Sequence, residues 1–420
     1  MRHLICLIIV CFLGLTASAK TLVVCTTCAY KSPQQALAAA SPGDLILVKA
    51  GTYLVQGMII ETRLNLQGEQ GAILDGGGQT ILNIHADSVT VRDIQLQNVA
   101  TNYVEDRAAI RCNNADYFRF ENVTIRESFF GIHIEKSAHG LIKHCDIQGN
   151  NLENQYLESA NGNAIHLWYC KDATIEDNVV KYHRDGIYFE FVEDSHISRN
   201  WSEGNMRYGL HFMFSHSDTY SENTFTKNGA GVAVMYSTKV LMFDNYFIDN
   251  WGESAYGLLL KDITDSELRR NIFENNTIAI SADNSSRIEL TDNVFSQNGY
   301  ALRILGNCEA NVITRNDFKG NSFDISTNSQ SNLNDFSGNY WEEYTGYDLD
   351  RDGVGDVPYR PVKLFTSIIA QAPASIILMR STFIDLLNLA EKITPVLTPA
   401  NLVDNKPLTK PANDHLYRRP

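Results

Sequence analysis

His211, Met213 and Met235 are residue types that hold a soft cation, and their spacing brings them together. Met213 lies two residues after His211, and Met235 lies 22 residues after Met213. Imidazole with thioether is a donor mixture that suits Cu(I) and poorly suits Mg²⁺, Ca²⁺ or Zn²⁺. Both donors are neutral, so they hold an ion without trapping it as a thiolate would. His166 and His133 precede His211 in similar runs, and His183 and His216 flank those runs, which makes them secondary candidates for the same ion. The alternative is that the two methionines pack under a loop and the histidines are scattered surface residues.

Two other groups carry chemistry. Asp348, Asp350, Asp352, Gly353 and Asp356 form the front of a calcium loop, in which alternate oxygens wrap a hard cation. The twelfth position is Tyr359 where an EF-hand needs Glu, so a solvated acidic turn is the competing reading. Cys25 and Cys28 form a CxxC, either a disulfide in an oxidising compartment or a thiolate pair for copper. Catalysis is assigned to no residue. Glu135 and Glu190 are separated by Trp168 in the repeat, and no paired acids of a glycoside hydrolase are evident.

A repeat positions these residues. Asn178, Asn200, Asn223, Asn245, Asn271, Asn293, Asn316 and Asn339 recur at steps of 22 to 26 residues, between short runs that alternate large apolar and variable side chains. A sustained period near 22–23 with strand-like alternation predicts an all-β chain, a right-handed parallel β-helix with one coil per repeat. Stacked coils place equivalent residues about 4.8 Å apart, so the asparagines should form a hydrogen-bonded ladder. Ile132, Ile165, Ile187, Leu210 and Val232 then face the core, and the residues between point outward in two columns. One runs Arg111, His133, His166, Tyr188, His211, Ala233, and the other Glu135, Trp168, Glu190, Met213, Met235, Lys261. Both columns are expected on a solvent face.

The chain of 420 residues carries a net charge of −14 and no basic runs, which argues against nucleic acid. Residues 1–19 read as a signal peptide with a short apolar core and an Ala-Ser-Ala end. Residues 20–44 read as an N-terminal segment with a capping helix, opened by Ser32 and Pro33. The solenoid is expected over 45–361, with polar loops thrown out at 100–107 and 151–160. Residues 362–397 read as amphipathic helices that fold back or offer an apolar face to a partner, with no uninterrupted apolar run of membrane-spanning length. Residues 398–420 carry four prolines and are expected to be disordered.

The runs G-N-A-I-H-L-W-Y-C-K from Gly162, H-R-D-G-I-Y-F-E-F from His183, N-M-R-Y-G-L-H-F-M-F-S-H from Asn205 and N-G-A-G-V-A-V-M-Y-S from Asn228 resemble the NosD family. So do A-Y-G-L-L-L-K-D from Ala255 and Y-D-L-D-R-D-G-V-G-D-V-P-Y-R-P from Tyr347. The resemblance spans about residues 35–399 and is dense from Gly162 onward. It implies a non-enzymatic periplasmic accessory protein of nitrous oxide reductase maturation, held at the outer face of the inner membrane. Its implied partners are the permease and ATPase subunits of an ABC transporter, a copper donor chaperone, and the reductase whose copper–sulfide centre is supplied. The resemblance locates no ligands: the choice of His211, Met213 and Met235 rests on the columns, and the Cys25–Cys28 pair lies outside the family pattern. Two alternatives stay open, a scaffold between transporter and reductase that binds no metal, and a β-helix that binds or cleaves polysaccharide.

Overall fold

The computed structural model describes residues 19–102, 104–149, 162–253, 255–328, 333–379, 381–393 and 402–417. The expected leader, except its last residue, and the expected loop at 151–160 lie outside them. Among the described residues the strands form three parallel sheets of 14, 12 and 13 strands, each pairing a strand with its counterpart one coil away. The chain is therefore an all-β parallel β-helix. One coil runs Tyr208–Met213, Thr219–Ser221, Thr224–Thr226, and the next Ala230–Met235, Leu241–Phe243, Tyr246–Ile248.

The interior is apolar from end to end because every second residue points inward. Phe225, Phe247, Phe273, Phe295, Phe318 and Trp341 stack through consecutive coils, with centroids 4.5 Å apart for Phe247 and Phe273 and 4.2 Å for Phe318 and Trp341. The asparagine column forms the expected ladder. Asn200 Nδ2 donates to Asn223 Oδ1 at 2.9 Å, and Asn223 Nδ2 to Asn245 Oδ1 at 3.0 Å. A second ladder, Asn205, Asn228, Asn250, Asn276, Asn298 and Asn321, holds another corner.

The bends of the first ladder from Asn178 to Asn316 are each entered through a non-glycine residue at positive φ: Asp177, Arg199, Glu222, Asp244, Arg270, Asp292 and Arg315. Such residues cost of the order of 1 kcal/mol each and persist only where the surroundings over-determine them. Here the buried amide ladder does so, and neighbouring coils pair the side chains, as in Arg199 with Asp177 and Arg270 with Asp244.

The ends differ from the sequence-based expectation. The sheet starts before residue 45, because Thr21–Val24 already pairs in parallel with Leu45–Val48. Helix α1 (Pro33–Ala39) buries Pro33 and Ala36, and the Ser32 hydroxyl accepts from the Gln35 amide at 3.3 Å. The tail expected to be disordered is instead ordered over 402–417. Asp404 is fully buried and accepts from the Gly338 and Asn339 amides and from Trp341 Nε1. It stands where the next coil's asparagine would be, so an isolated polar segment is held by the amides that the last coil leaves unpaired. Further on, the Ala412 and Asn413 amides donate to Asp317.

Helix α2 (Leu364–Gln371) lies against the strand Phe323–Thr327, with Phe365, Ile369 and Ile384 of helix α3 (Thr382–Ile393) buried around Phe323. Ile377, Phe383, Leu386 and Leu389 remain exposed, and no helix among the described residues is long and apolar enough to cross a membrane.

Candidate functional site

The 12-stranded sheet carries both outward columns, in the register that alternation dictates. Arg111 pairs with His133, His133 with His166, His166 with Tyr188, Tyr188 with His211, and His211 with Ala233. Beside it run Glu135, Trp168, Glu190, Met213, Met235 and Lys261. At one coil per step the rings stack. His133 and His166 lie 4.8 Å apart edge to face, and the Tyr188 ring is sandwiched 4.7 Å from His166 and 4.7 Å from His211.

The first column is not on a solvent face. His133, Tyr188 and His211 are buried, His166 is half-buried, and Met213 and Met235 are half-buried. Aromatic residues that open the strands pack on the column: Phe130 on His133 and His166, and Tyr208 on His211. Polar residues come with them. Asp185 is fully buried, with Arg207 Nε 3.3 Å from Oδ1 and Arg184 Nε 3.8 Å from Oδ2.

Buried nitrogens without partners concentrate here: His133 Nδ1, both ring nitrogens of His166 and of His183, and His211 Nε2. Burial holds these imidazoles neutral. It takes His133 down to about 4, helped by Arg111, and His183 to about 4, while His166 lies well below the ordinary histidine value. His211 is lowered too, with Asp185 opposing the effect of burial. A neutral ring can offer a soft ion the lone pair of whichever nitrogen carries no proton, so no proton has to leave the ring.

The structure does not bring all seven copper candidates to one point. His211 and His166 are two coils apart with Tyr188 between them. Met213 and Met235 are direct neighbours, and Tyr188 Oη approaches Met213 Sδ at 3.6 Å. His183 is fully buried at a corner, where its amide donates to Asn205 Oδ1, so it heads the second asparagine ladder. His216 is at a different corner, where its Nδ1 accepts from the Thr238 amide at 3.2 Å. Two clusters remain: the imidazole pair His133 and His166, and His211 with the Met213–Met235 thioethers one column away.

Among the described residues, Asp348, Asp350 and Asp352 are the one group of three histidine, cysteine or carboxylate side chains whose ligand atoms lie within 4.8 Å of one another. Asp356 accepts from the Leu349 amide, and Asp348 accepts from the Arg351 and Gly353 amides. Cys25 and Cys28 form a disulfide, which removes them as thiolate ligands. Glu135 is engaged by Lys136. Sequence reasoning missed Phe130, Arg184, Asp185, Arg207 and Tyr208; the charged and aromatic residues just before Gly131, Gly186 and Gly209 were their only signal.

Residues 150–346 match the family model described as periplasmic copper-binding protein (NosD). The chain is 29% identical over 380 residues to a probable ABC transporter binding protein NosD of Pseudomonas aeruginosa, covering 86% of this chain and 87% of that one. It is 26% identical to the protein of the same description from Stutzerimonas stutzeri, covering 86% of each chain. These matches uphold the resemblance to NosD. Solved structures share the fold at low identity. The catalytic unit of an α-1,3-glucanase from Streptomyces thermodiastaticus gives a TM-score of 0.58 at 11% identity, over 75% of this chain and 66% of that one. A mannuronan C-5 epimerase module from Azotobacter vinelandii gives 0.51 at 15%, over 74% and 96%.

Proposed function

We propose, for this NosD-like β-helix, a periplasmic copper-handling role: it takes up Cu(I) as cargo on the 12-stranded sheet and works with an ABC transporter to supply copper for the copper–sulfide centre of nitrous oxide reductase. The observation that carries this is the run of neutral imidazoles with unpartnered nitrogens, buried His133 and His211 and half-buried His166, beside the half-buried thioethers of Met213 and Met235. These are donors of the right softness, and Cu(I) accepts two or three such ligands. The partly open methionines would meet the ion first; the covered imidazoles would hold it away from oxidants and water.

The exposed apolar face of Ile377, Phe383, Leu386 and Leu389 would dock on the transporter at the outer face of the inner membrane. A chaperone would load the ion and the reductase would receive it. An anaerobic Cu(I) competition titration tests the metal reading, with the His211→Ala, Met213→Leu, Met235→Leu triple variant as control. Loss of tight binding in the variant supports it. Equal binding by both proteins overturns the assignment of the ion to this patch, and no binding by either overturns the copper reading itself and leaves a scaffold between transporter and reductase.

A further inference from the structure

A neutral imidazole has one lone pair and one proton, and which nitrogen carries which is decided by the partner it meets. Arg207 Nη2 lies 3.1 Å from His211 Nδ1. Arginine only donates, so this contact puts the lone pair of His211 on Nδ1 and the proton on Nε2. Nδ1 is thereby occupied, and Nε2, buried and without a partner, has no lone pair to offer. In this arrangement His211 cannot ligate anything.

The alternative partner is already in place. Asp185 Oδ2 is 3.8 Å from His211 Nδ1, beyond hydrogen-bond range, and is itself buried without a hydrogen bond. An approach of about 1 Å would let Nδ1–H donate to that carboxylate and bare the lone pair of Nε2, the carboxylate–imidazole–metal arrangement that orients histidine ligands. Arg207 has room to leave, because it is one wall of an open cavity of about 460 Å³ shared with Met206, Tyr208, Trp251 and Tyr256. A guanidinium against the ring would also repel an arriving cation.

We propose that Arg207 and Asp185 are positioning residues that set His211 between a closed and a ligating tautomer. With Arg207 on Nδ1 the ring is closed to copper; with Arg207 withdrawn and Asp185 on Nδ1 the ring takes Cu(I) through Nε2. The inference rests on the copper reading above, and it names the step at which loading is controlled.

The test uses the mature protein with ¹⁵N-labelled histidine. The copper-free wild type is expected to show His211 protonated on Nε2, and Arg207→Met to move the proton to Nδ1. Arg207→Lys, which keeps a cationic donor, should restore the wild-type signature. In Cu(I) competition titrations Arg207→Met should bind about tenfold tighter, and Asp185→Asn roughly 10- to 100-fold weaker, the usual range for a lost partner behind a ligand. A wild-type His211 already protonated on Nδ1, a tautomer indifferent to Arg207→Met, or tautomer changes with unchanged Cu(I) affinity would each overturn the proposal. If no protein of the set binds Cu(I) at all, the copper reading fails, while the tautomer measurement still reads the control of His211 by Arg207 on its own.

Discussion

The hydroxyl of Tyr188 lies 3.6 Å from the sulfur of Met213, while its ring separates the imidazoles of His166 and His211. One side chain thus joins the two outward columns. It occupies a lone pair of the outer thioether and stands between the inner histidines. Burial and the neighbouring Glu190 carboxylate raise its pKa, so it remains a donor throughout the working pH range.

Tyr188→Phe should therefore free the Met213 sulfur while leaving the ring stack in place. A net hydrogen bond of about 0.5–1.5 kcal/mol corresponds to roughly a two- to tenfold tighter Cu(I) affinity. Competition titration checks this, and weaker binding would show that the hydroxyl assists the ion rather than competing with it.

The imidazoles make stability depend on pH in a definite direction. Their folded pKa values are depressed, so as pH falls below about 6.5 the unfolded chain takes up protons that the folded one refuses. Stability is full above that pH and declines toward pH 4, on the order of 3 kcal/mol for each of His133 and His183 if titrated through. His183→Asn would continue the second ladder from Asn205 and should flatten the decline, read by denaturant unfolding at pH 7, 5.5 and 4.5.

Asp218 has the opposite sign. Burial raises its carboxyl to about 8, with Oδ1 accepting from the Ser195 amide and Oδ2 unpartnered. A raised acid contributes stability that is present below the unfolded value near 4 and is lost as pH rises through 8. Asp218→Asn keeps the acceptor, so it should match the wild type at pH 4 and exceed it by a few kcal/mol at pH 8.

Asp404→Ala removes the group that ends the first ladder and leaves the Asn339 amide and Trp341 Nε1 buried without an acceptor. The cost should be about 2–4 kcal/mol, with faster proteolysis confined to the last coils. Limited proteolysis with mass spectrometry would show it, and uniform cleavage along the solenoid would contradict it.

Leu386→Glu places a charge on the exposed face of α3, where the side chain is 65% exposed. Thermal stability should change by less than about 0.5 kcal/mol, since the position is not in the core. Co-purification with the transporter should fall at least tenfold; retained association would move the docking surface elsewhere.

Spacing and alternation alone were sufficient for the coil, the asparagine ladder and the two columns. A period near 22 with inward apolar residues at every second position admits one stacking register, and a slip of one residue would turn Ile132, Leu210 and Val232 outward. That is why spacing alone puts His133, His166, Tyr188 and His211 in one file. Local pattern could not say what covers that file. Phe130, Arg184, Asp185, Arg207 and Tyr208 stand at the openings of the strands, and their packing on the column depends on contacts between turns. Nor could it show that His183 faces inward as a ladder head, or that Asp404, 65 residues from Asn339, closes the last coil. Repeat periodicity encodes short-range register, whereas burial, tautomer and end-capping are decided by which distant groups are left needing a partner once the coils have stacked.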